Sequence, residues 1–169
     1  MKLKVPFHEQ NTNYTCGPAV LQMAMSFFGH LKSEKFLVRQ AKTTASGTSH
    51  RGLISAAIKE GFYCYANNNS SINEIKHFIG LNLPVIVHYR EPSDDDDHYA
   101  IVTGFKGDEV IFNDPWNGPS FHLKVTDFID RWYGMVGNRR HKQWILVISN
   151  KRFSIGKQYV PANSKVALG

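Results

Sequence analysis

The sequence predicts an α+β domain in which N-terminal helices pack on a C-terminal antiparallel sheet. In the first half of the chain, apolar residues recur mainly at the three- and four-residue spacing of amphipathic helices. From Pro84 onward, short β-branched runs alternate with turn signals, as is typical of strands joined by tight connections. This change of pattern favours helices followed by strands over an alternating, parallel-sheet fold.

Four helices are predicted in the first half. The first has Pro18 in its first turn, where a missing N–H costs little, and Gly29 just after its end. Ser33 is expected to cap the second helix, and the Ser71-to-Glu74 spacing of a capping box predicts the start of the fourth. The predicted helices are Cys16–Phe28, one from Ser33 through Ala41, Leu53–Glu60 and one from Ser71 through Ile79.

A first strand is predicted around Cys64, which is expected to be a core residue. The second half of the chain is predicted to form further strands. Lys106, Gly107 and Asp108 form a turn signal, so the runs on either side of it predict a hairpin. The predicted elements are strands over 84–89, 98–105, 109–113, 121–123 and 143–148, with a short helix over 126–133.

The length and composition predict a single domain over residues 1–150, followed by a polar tail over 151–169. The chain has 169 residues, of which 42% are hydrophobic, and a net charge of +6. Its basic clusters, 139–142 and 151–152, lack interleaved aromatic residues, so they predict solvated surface and no nucleic-acid partner. The positive charge leaves a weak attraction for acidic partners open, and the oligomeric state is not predicted.

The remaining bulk features argue against several classes of protein. Two cysteines do not make a disulfide framework, and no segment reaches the ~18 apolar residues of a membrane span. The N-terminus does not resemble a signal peptide, which predicts a soluble, cytoplasmic chain. The histidines lack zinc-site spacing and no phosphate-binding glycine loop is present, so neither a metal nor a cofactor is expected.

Cys16 is the first candidate for chemistry because it opens an apolar helix. The first turn of a helix offers unpaired N–H groups and a partial positive charge that favour a thiolate nucleophile. Gln10, six residues upstream, could supply an amide donor to an oxyanion. The competing interpretation is an inert buried cysteine, which is common for a lone thiol.

A nucleophilic cysteine requires an imidazole and a group that orients it, and His98 and Asp114 fit these roles. His98 begins one strand of the predicted hairpin and Asp114 ends the other, so antiparallel pairing predicts contact between them. The acidic run Asp94–Asp97 precedes His98 and is expected to form a solvated loop whose field favours the imidazolium. A calcium site there is disfavoured because the run lacks the spacing of an EF-hand loop.

The loop that follows Asp114 is predicted to contact substrate. Trp116, Asn117 and Gly118 leave the predicted catalytic residue and are therefore well placed to line a site. For Trp116 an equal alternative is a core position capping the hairpin.

Three motifs, taken in order, resemble the bacteriocin-processing cysteine peptidases, family thirty-nine of the papain-like clan. They are Gln10 six residues before Cys16-Gly17-Pro18-Ala19, then His98-Tyr99-Ala100-Ile101-Val102, and then Asn113-Asp114-Pro115-Trp116-Asn117-Gly118. The resemblance implies a papain-like fold in which the nucleophile, general base, orienting residue and oxyanion donor are respectively Cys16, His98, Asp114 and Gln10.

Members of that family commonly precede peptide-exporting transporters and cut leader peptides after a Gly-Gly pair. This chain has Thr15 where many members place an aspartate, and it carries no transporter, so it resembles the stand-alone relatives. The resemblance implies a cysteine peptidase with a peptide or protein substrate. Two alternatives stay open, namely a non-catalytic peptide-binding module and an acyltransferase or amidase that forms a thioester.

Overall fold

Five helices and nine strands make up the computed structural model, which describes residues 1–154 and the backbone of 158–159. The helices are α1 (Cys16–Phe27), α2 (Glu34–Gln40), α3 (His50–Lys59), α4 (Ile72–Gly80) and α5 (Val125–Arg131). The strands are β1 (Tyr63–Asn67), β2 (Val85–Arg90), β3 (Asp97–Lys106), β4 (Glu109–Asp114), β5 (Gly118–Lys124), β6 (Tyr133–Val136), β7 (Arg139–Lys142), β8 (Ile145–Ser149) and β9 (Gln158–Tyr159).

Seven strands form one sheet in the order β5-β4-β3-β2-β8-β1-β9, and every neighbouring pair is antiparallel. The predicted hairpin is β3–β4, joined by a turn in which Gly107 has a positive φ. Strand β8 lies between β2 and β1, so the chain returns to the middle of the sheet after β7, whereas the last described strand, β9, lies at its edge. The predicted α+β class is therefore confirmed.

Helix α1 packs against β3 and β2 and is buried on nearly all its faces. Such a helix must be apolar all round, which explains its run of alanine, valine, leucine and methionine residues. Its side chains join those of the sheet in a contiguous hydrophobic cluster. None of the helices in the described part of the chain combines the length and apolar character needed to cross a membrane.

Helices α2, α3 and α4 begin at serine caps. The Ser33 and Ser71 hydroxyls each accept a backbone N–H bond of 3.1 Å, from Phe36 and Glu74, which confirms both predicted caps. Helix α3 starts earlier than predicted, because Ser49 accepts the Gly52 N–H at 3.0 Å and so caps it.

The N-terminal segment lies along the sheet, an arrangement that the sequence did not predict. The Leu3 N–H donates to the Thr103 carbonyl at 2.7 Å, and the Asn113 side chain donates to the Val5 carbonyl at 2.8 Å. Through these bonds the N-terminal segment crosses β3 and β4 and runs toward the end of the sheet at which β4 terminates.

Residues 133–142 form a second hairpin, β6–β7, that was not predicted. The predicted helix over 126–133 ends at Arg131, and Tyr133 begins a strand because Trp132 leaves the helical conformation with ψ 68. In the predicted surface cluster 139–142 the arginines are exposed, and the Arg140 guanidinium lies 3.8 Å from the centre of the Tyr133 ring.

The chain beyond residue 150 contributes to the fold as far as it is described. Phe153 is buried in the core, and β9 pairs with β1. The other residues of the predicted tail, 155–157 and 160–169, lie outside the described residues. The division into a domain over 1–150 and a tail over 151–169 stays a prediction.

Candidate active site

Cys16 occupies the first position of α1 and is buried. Its N-cap, Thr15, makes no side-chain cap bond, and Pro18 has no N–H. The N–H groups of Cys16 and Gly17 therefore have no acceptor within the helix, and the positive end of the helix dipole favours negative charge beside them. The helix start thus supplies both a thiol and unpaired donors at one point.

His98 and Asp114 are in contact, as the hairpin geometry predicted. His98 Nε2 lies 2.7 Å from Asp114 Oδ1, and the two side chains are 6% and 0% exposed. This bond occupies Nε2 and leaves Nδ1 available to the Cys16 thiol, which is close enough to raise the pKa of His98. The structure therefore brings together the thiol, the imidazole and the carboxylate in a water-poor environment.

The protonation of His98 follows from these partners. Burial opposes the charged imidazole, but the hydrogen bond and charge of Asp114, together with the interaction with Cys16, outweigh burial and raise the pKa of His98 to about 10. Burial also opposes ionisation of Asp114, yet the bond from His98 lowers the pKa of this carboxyl below its ordinary value. At neutral pH the two groups form a buried ion pair.

Asp114 is held by more donors than the sequence indicated. The Tyr89 hydroxyl donates to Oδ2, and the N–H groups of Trp116 and Asn117 donate to Oδ1 at 2.9 Å each. Tyr89 was missed because it reaches Asp114 only through the register of β2 and β3, in which it lies opposite His98. Periodicity within one strand carries no signal for that register.

Gln10 lies at the same site because the N-terminal segment runs along the sheet toward Asp114. Its backbone N–H donates to the Pro115 carbonyl at 3.1 Å. Its side-chain Nε2 donates to the Thr12 carbonyl at 2.6 Å, whereas Oε1 is buried and has no hydrogen-bond partner. Thr15 Oγ1 accepts the Thr12 N–H at 3.1 Å and so stabilises the turn that Gln10 contacts.

The three predicted substrate contacts have different surroundings. Trp116 is 48% exposed and lines a cavity with Gln10 and His98, so the alternative core position was wrong. The Asn117 side chain donates to Glu91 at 3.3 Å, and Gly118 begins β5 with φ +111. Asn117 and Gly118 therefore help to fix the conformation of the loop between β4 and β5.

The acidic run is solvated as predicted, since Asp94 to Asp97 are all exposed. Asp95 pairs with Arg131 at 3.3 Å, and Asp97 pairs with Arg90 at 3.5 Å. The pKa of His98 is raised by Asp114 and Cys16, and the field of the run is not among the causes of that shift. Nowhere in residues 1–154 is a group of three histidine, cysteine, aspartate or glutamate side chains placed to hold a metal ion.

Glu91 is a buried carboxylate that the sequence analysis missed. Its oxygens accept the Ser93 N–H at 2.8 Å and the Asp94 N–H at 2.6 Å, which closes the turn that begins the acidic loop. The available signal was its place before Pro92 and Ser93, where a short acceptor commonly starts a turn.

Comparisons with known proteins agree with this architecture. A model of the peptidase C39 family matches residues 4–139. No curated protein matches the chain significantly. The peptidase domain of Streptococcus ComA, a bifunctional ABC transporter in a quorum-sensing pathway, superposes with a TM-score of 0.72 at 23% identity, covering 88% of this chain and 100% of that domain.

Two further solved structures share the fold. A double glycine motif protease from an AMS/PCAT transporter, in complex with its leader peptide, superposes with a TM-score of 0.66 at 19% identity. The match covers 87% of this chain and 92% of that protein. The N-terminal peptidase C39-like domain of a toxin secretion ATP-binding protein from Vibrio parahaemolyticus superposes with a TM-score of 0.60 at 12% identity, covering 83% and 99%. These matches confirm the predicted papain-like fold.

Proposed function

Because this chain belongs to the peptidase C39 family, we propose that it is a cysteine peptidase that hydrolyses peptide bonds with Cys16 as nucleophile. The observation that carries the proposal is the position of His98, which lies 2.7 Å from Asp114 and also interacts with Cys16. An imidazole held between a carboxylate and a thiol can take the thiol proton and later return it.

The first half of the reaction transfers the acyl group to the enzyme. The Cys16 thiolate attacks the peptide carbonyl carbon, and the imidazolium of His98 protonates the leaving amine as the C–N bond breaks. The product is a thioester on Sγ and a free amine. Asp114 holds the ring with Nδ1 directed at sulfur, since it binds the opposite nitrogen.

The second half releases the acyl group. Neutral His98 takes a proton from water as the water oxygen attacks the thioester carbon. The C–S bond then breaks, the acid leaves, and the thiolate–imidazolium pair is restored. The raised pKa of His98 keeps the imidazole protonated at neutral pH, so it can donate to the leaving amine.

Gln10 and the backbone N–H of Cys16 are the proposed donors to the oxyanion. Only one hydrogen of the Gln10 amide nitrogen is used by the Thr12 carbonyl, so the second is available to a developing negative charge. The unpaired N–H at the start of α1 supplies the other bond. Such donors stabilise a transition state without rearrangement, because the fold fixes them beforehand.

The proposed substrate is a peptide, and leader peptides are part of this proposal. A structurally similar double glycine motif protease is bound to its leader peptide. In this chain Trp116 and the cavity beside it offer a partly exposed surface next to His98 where a peptide can lie.

Replacing Cys16 tests the proposal against a matched cysteine. We expect Cys16→Ala to abolish both peptide hydrolysis and labelling by iodoacetamide at pH 7. We expect Cys64→Ala to retain both, because burial raises the pKa of the Cys64 thiol to about 12 and keeps it unreactive. Hydrolysis that survives in the Cys16 variant would refute the proposed nucleophile.

A labelling rate for Cys16 no faster than that of free cysteine, without any hydrolysis, would instead favour the peptide-binding module. Product analysis with an added amine or thiol distinguishes hydrolysis from acyl transfer.

A further inference from the structure

A small cavity of about 190 Å³ opens beside His98 and has an acidic wall. Four carboxylates contribute to that wall, those of Glu91, Asp94, Asp96 and Asp97. Among the described residues, no lysine or arginine lines it. The cavity therefore has a charge opposite to that of the whole chain, which is +6.

The acidic wall is not simply neutralised by the arginines nearby. Arg90 pairs with Asp95 and Asp97, and Arg131 pairs with Asp95. Within the part of the chain that the structure describes, neither Asp94 nor Asp96 forms an ion pair. The Asp94 and Asp96 carboxylates, which are exposed and line the cavity, thus keep their charge available to a bound cation.

A second, independent feature indicates a donor ligand. Gln10 lines the same cavity, is 8% exposed, and has an Oε1 atom with no hydrogen-bond partner. A buried acceptor without a donor costs about 1–3 kcal/mol, so such atoms are rarely left unpaired in folded proteins. An N–H group of a ligand that enters the cavity would remove this deficit.

We infer that the cavity is a subsite for a basic side chain, lysine or arginine, of the peptide substrate. The inference rests on the proposed peptidase function and names the substrate class of that site. Ammonium and guanidinium groups donate several hydrogen bonds and carry the charge that the Asp94 and Asp96 carboxylates and Gln10 Oε1 accept. The aromatic face of Trp116 lies against the apolar stem of such a side chain or beneath its cation.

The basic residue is the one that carries the leaving amine. His98 and Trp116 form part of the cavity wall, whereas Cys16 does not. Since His98 passes its proton to the leaving nitrogen, the residue attached to that nitrogen lies closest to the cavity. The volume fits one side chain and is below the roughly 300–1,000 Å³ of pockets for whole small molecules.

The experiment is a digest of a randomised peptide library by the wild-type protein, read by mass spectrometry. We expect arginine and lysine to be enriched immediately after the cleaved bond. For a matched peptide pair with arginine or glutamine at that position, we expect kcat/KM to favour arginine by about five- to tenfold, as two partly exposed charge pairs would give.

Two variants assign the preference to the cavity. The double variant Asp94→Asn/Asp96→Asn should reduce the arginine-to-glutamine ratio to nearly one. The matched control Asp95→Asn removes the same charge from the same loop but outside the cavity, and it should keep the wild-type ratio. Cleavage without a basic preference, or a ratio that both variants change equally, overturns the inference. A preference that disappears with EDTA also overturns it, since a divalent cation would then be the occupant.

A second readout does not depend on hydrolysis. Cys16 is treated with a cationic reagent, 2-aminoethyl methanethiosulfonate, and an anionic one, 2-sulfonatoethyl methanethiosulfonate, in a Cys64→Ala background. We expect the cationic reagent to react faster and the rate ratio to fall in Asp94→Asn/Asp96→Asn but not in Asp95→Asn. If the wild type cleaves no library peptide, the proposed function fails. The ratio of the two labelling rates then still tests whether the cavity binds a cation. A ratio that the double variant leaves unchanged then refutes the site.

Discussion

His98 and His88 are two buried histidines on adjacent strands with opposite electrostatics. They are about equally buried, and each lies opposite a tyrosine of the other's strand. His98 bonds to Asp114 and interacts with Cys16, and together they raise its pKa to about 10. For His88, burial lowers the pKa to about 4, and the charges of His141, His98 and Arg90 act in the same direction.

The difference arises from the partners that each ring meets. Neighbouring residues of a strand point to opposite faces of the sheet, so His98 and Tyr99 are directed to different surroundings, as are His88 and Tyr89. On its own face, His88 Nδ1 lies 2.8 Å from His50 Nε2, and His50 stacks on Trp144 with ring centres 3.9 Å apart. Asp97 Oδ1 lies 3.7 Å from His88 Nε2, beyond hydrogen-bond range, and Arg90 shares it.

Backbone packing fixes this second histidine in place. A Cβ added at Gly134 of β6 would lie 2.2 Å from the His88 ring, so the glycine allows the hairpin to cover the imidazole closely. Burial by itself therefore predicts a neutral histidine, and only a carboxylate partner reverses that outcome. The comparison separates a histidine suited to proton transfer from one suited to packing.

The largest expected effect is on catalysis, and it is tested by removing each of the two histidine rings in turn. We expect His98→Gln to lower kcat/KM by about 10²- to 10⁴-fold, the range for loss of a general acid–base group. We expect His88→Gln to act mainly on stability, by about 1–3 kcal/mol, because it removes a packed ring that lies away from the thiol. Steady-state kinetics with active-site titration, alongside urea unfolding, separates the two effects. Equal losses of kcat/KM would show that the two rings do not differ in role.

The pH dependence of stability should show two opposite limbs. Folded His98 keeps its proton up to about pH 10, whereas the unfolded group loses it near 6.5. Its contribution is thus complete below pH 6.5 and is lost as the pH rises toward 10. His88 behaves in reverse, since the unfolded ring gains a proton near pH 6.5 and the folded ring only near 4. Stability is therefore lost as the pH falls through that range.

Urea unfolding from pH 4 to pH 10 measures both limbs, each with a slope of at most about 1.4 kcal/mol per pH unit for one proton. We expect Asp114→Asn to flatten the alkaline limb and leave the acidic one, while His88→Gln weakens the acidic limb. The Asp114 carboxylate adds its own contribution, which is lost only in acid as the pH falls through its lowered pKa. An alkaline limb unchanged in Asp114→Asn would contradict the assigned cause of the His98 shift.

The expected change in pH dependence is smallest for the two tyrosines. Tyr89→Phe removes a hydrogen bond to the charged Asp114, so we expect a loss of about 1.5–3 kcal/mol and a small upward shift of the alkaline limb, because the carboxylate becomes a stronger acceptor for His98. Tyr99→Phe removes a bond to the neutral Thr48 carbonyl and should cost about 0.5–1.5 kcal/mol without any shift of that limb. Equal costs, with no shift in either variant, would show that Tyr89 does not act through the ion pair.

Much of the fold and site could be predicted because the signals are local. The caps at Ser33 and Ser71 depend on an N–H three residues away, and the turn at Gly107 fixes which strands pair. Contact between His98 and Asp114 followed from that hairpin alone. The β6–β7 hairpin escaped prediction because its strands are short and largely polar, so neither has a clear alternation of apolar residues.

By itself, the sequence determined the fold class, the thiol at a helix start and the pairing of one imidazole with one carboxylate. Each of these depends on residues within one helix or one hairpin. Only the tertiary structure decided which donors hold Asp114, how Gln10 reaches the site, why His88 stays neutral, and where the acidic cavity opens. These features depend on strand register and on segments distant in sequence, which propensity and spacing do not encode.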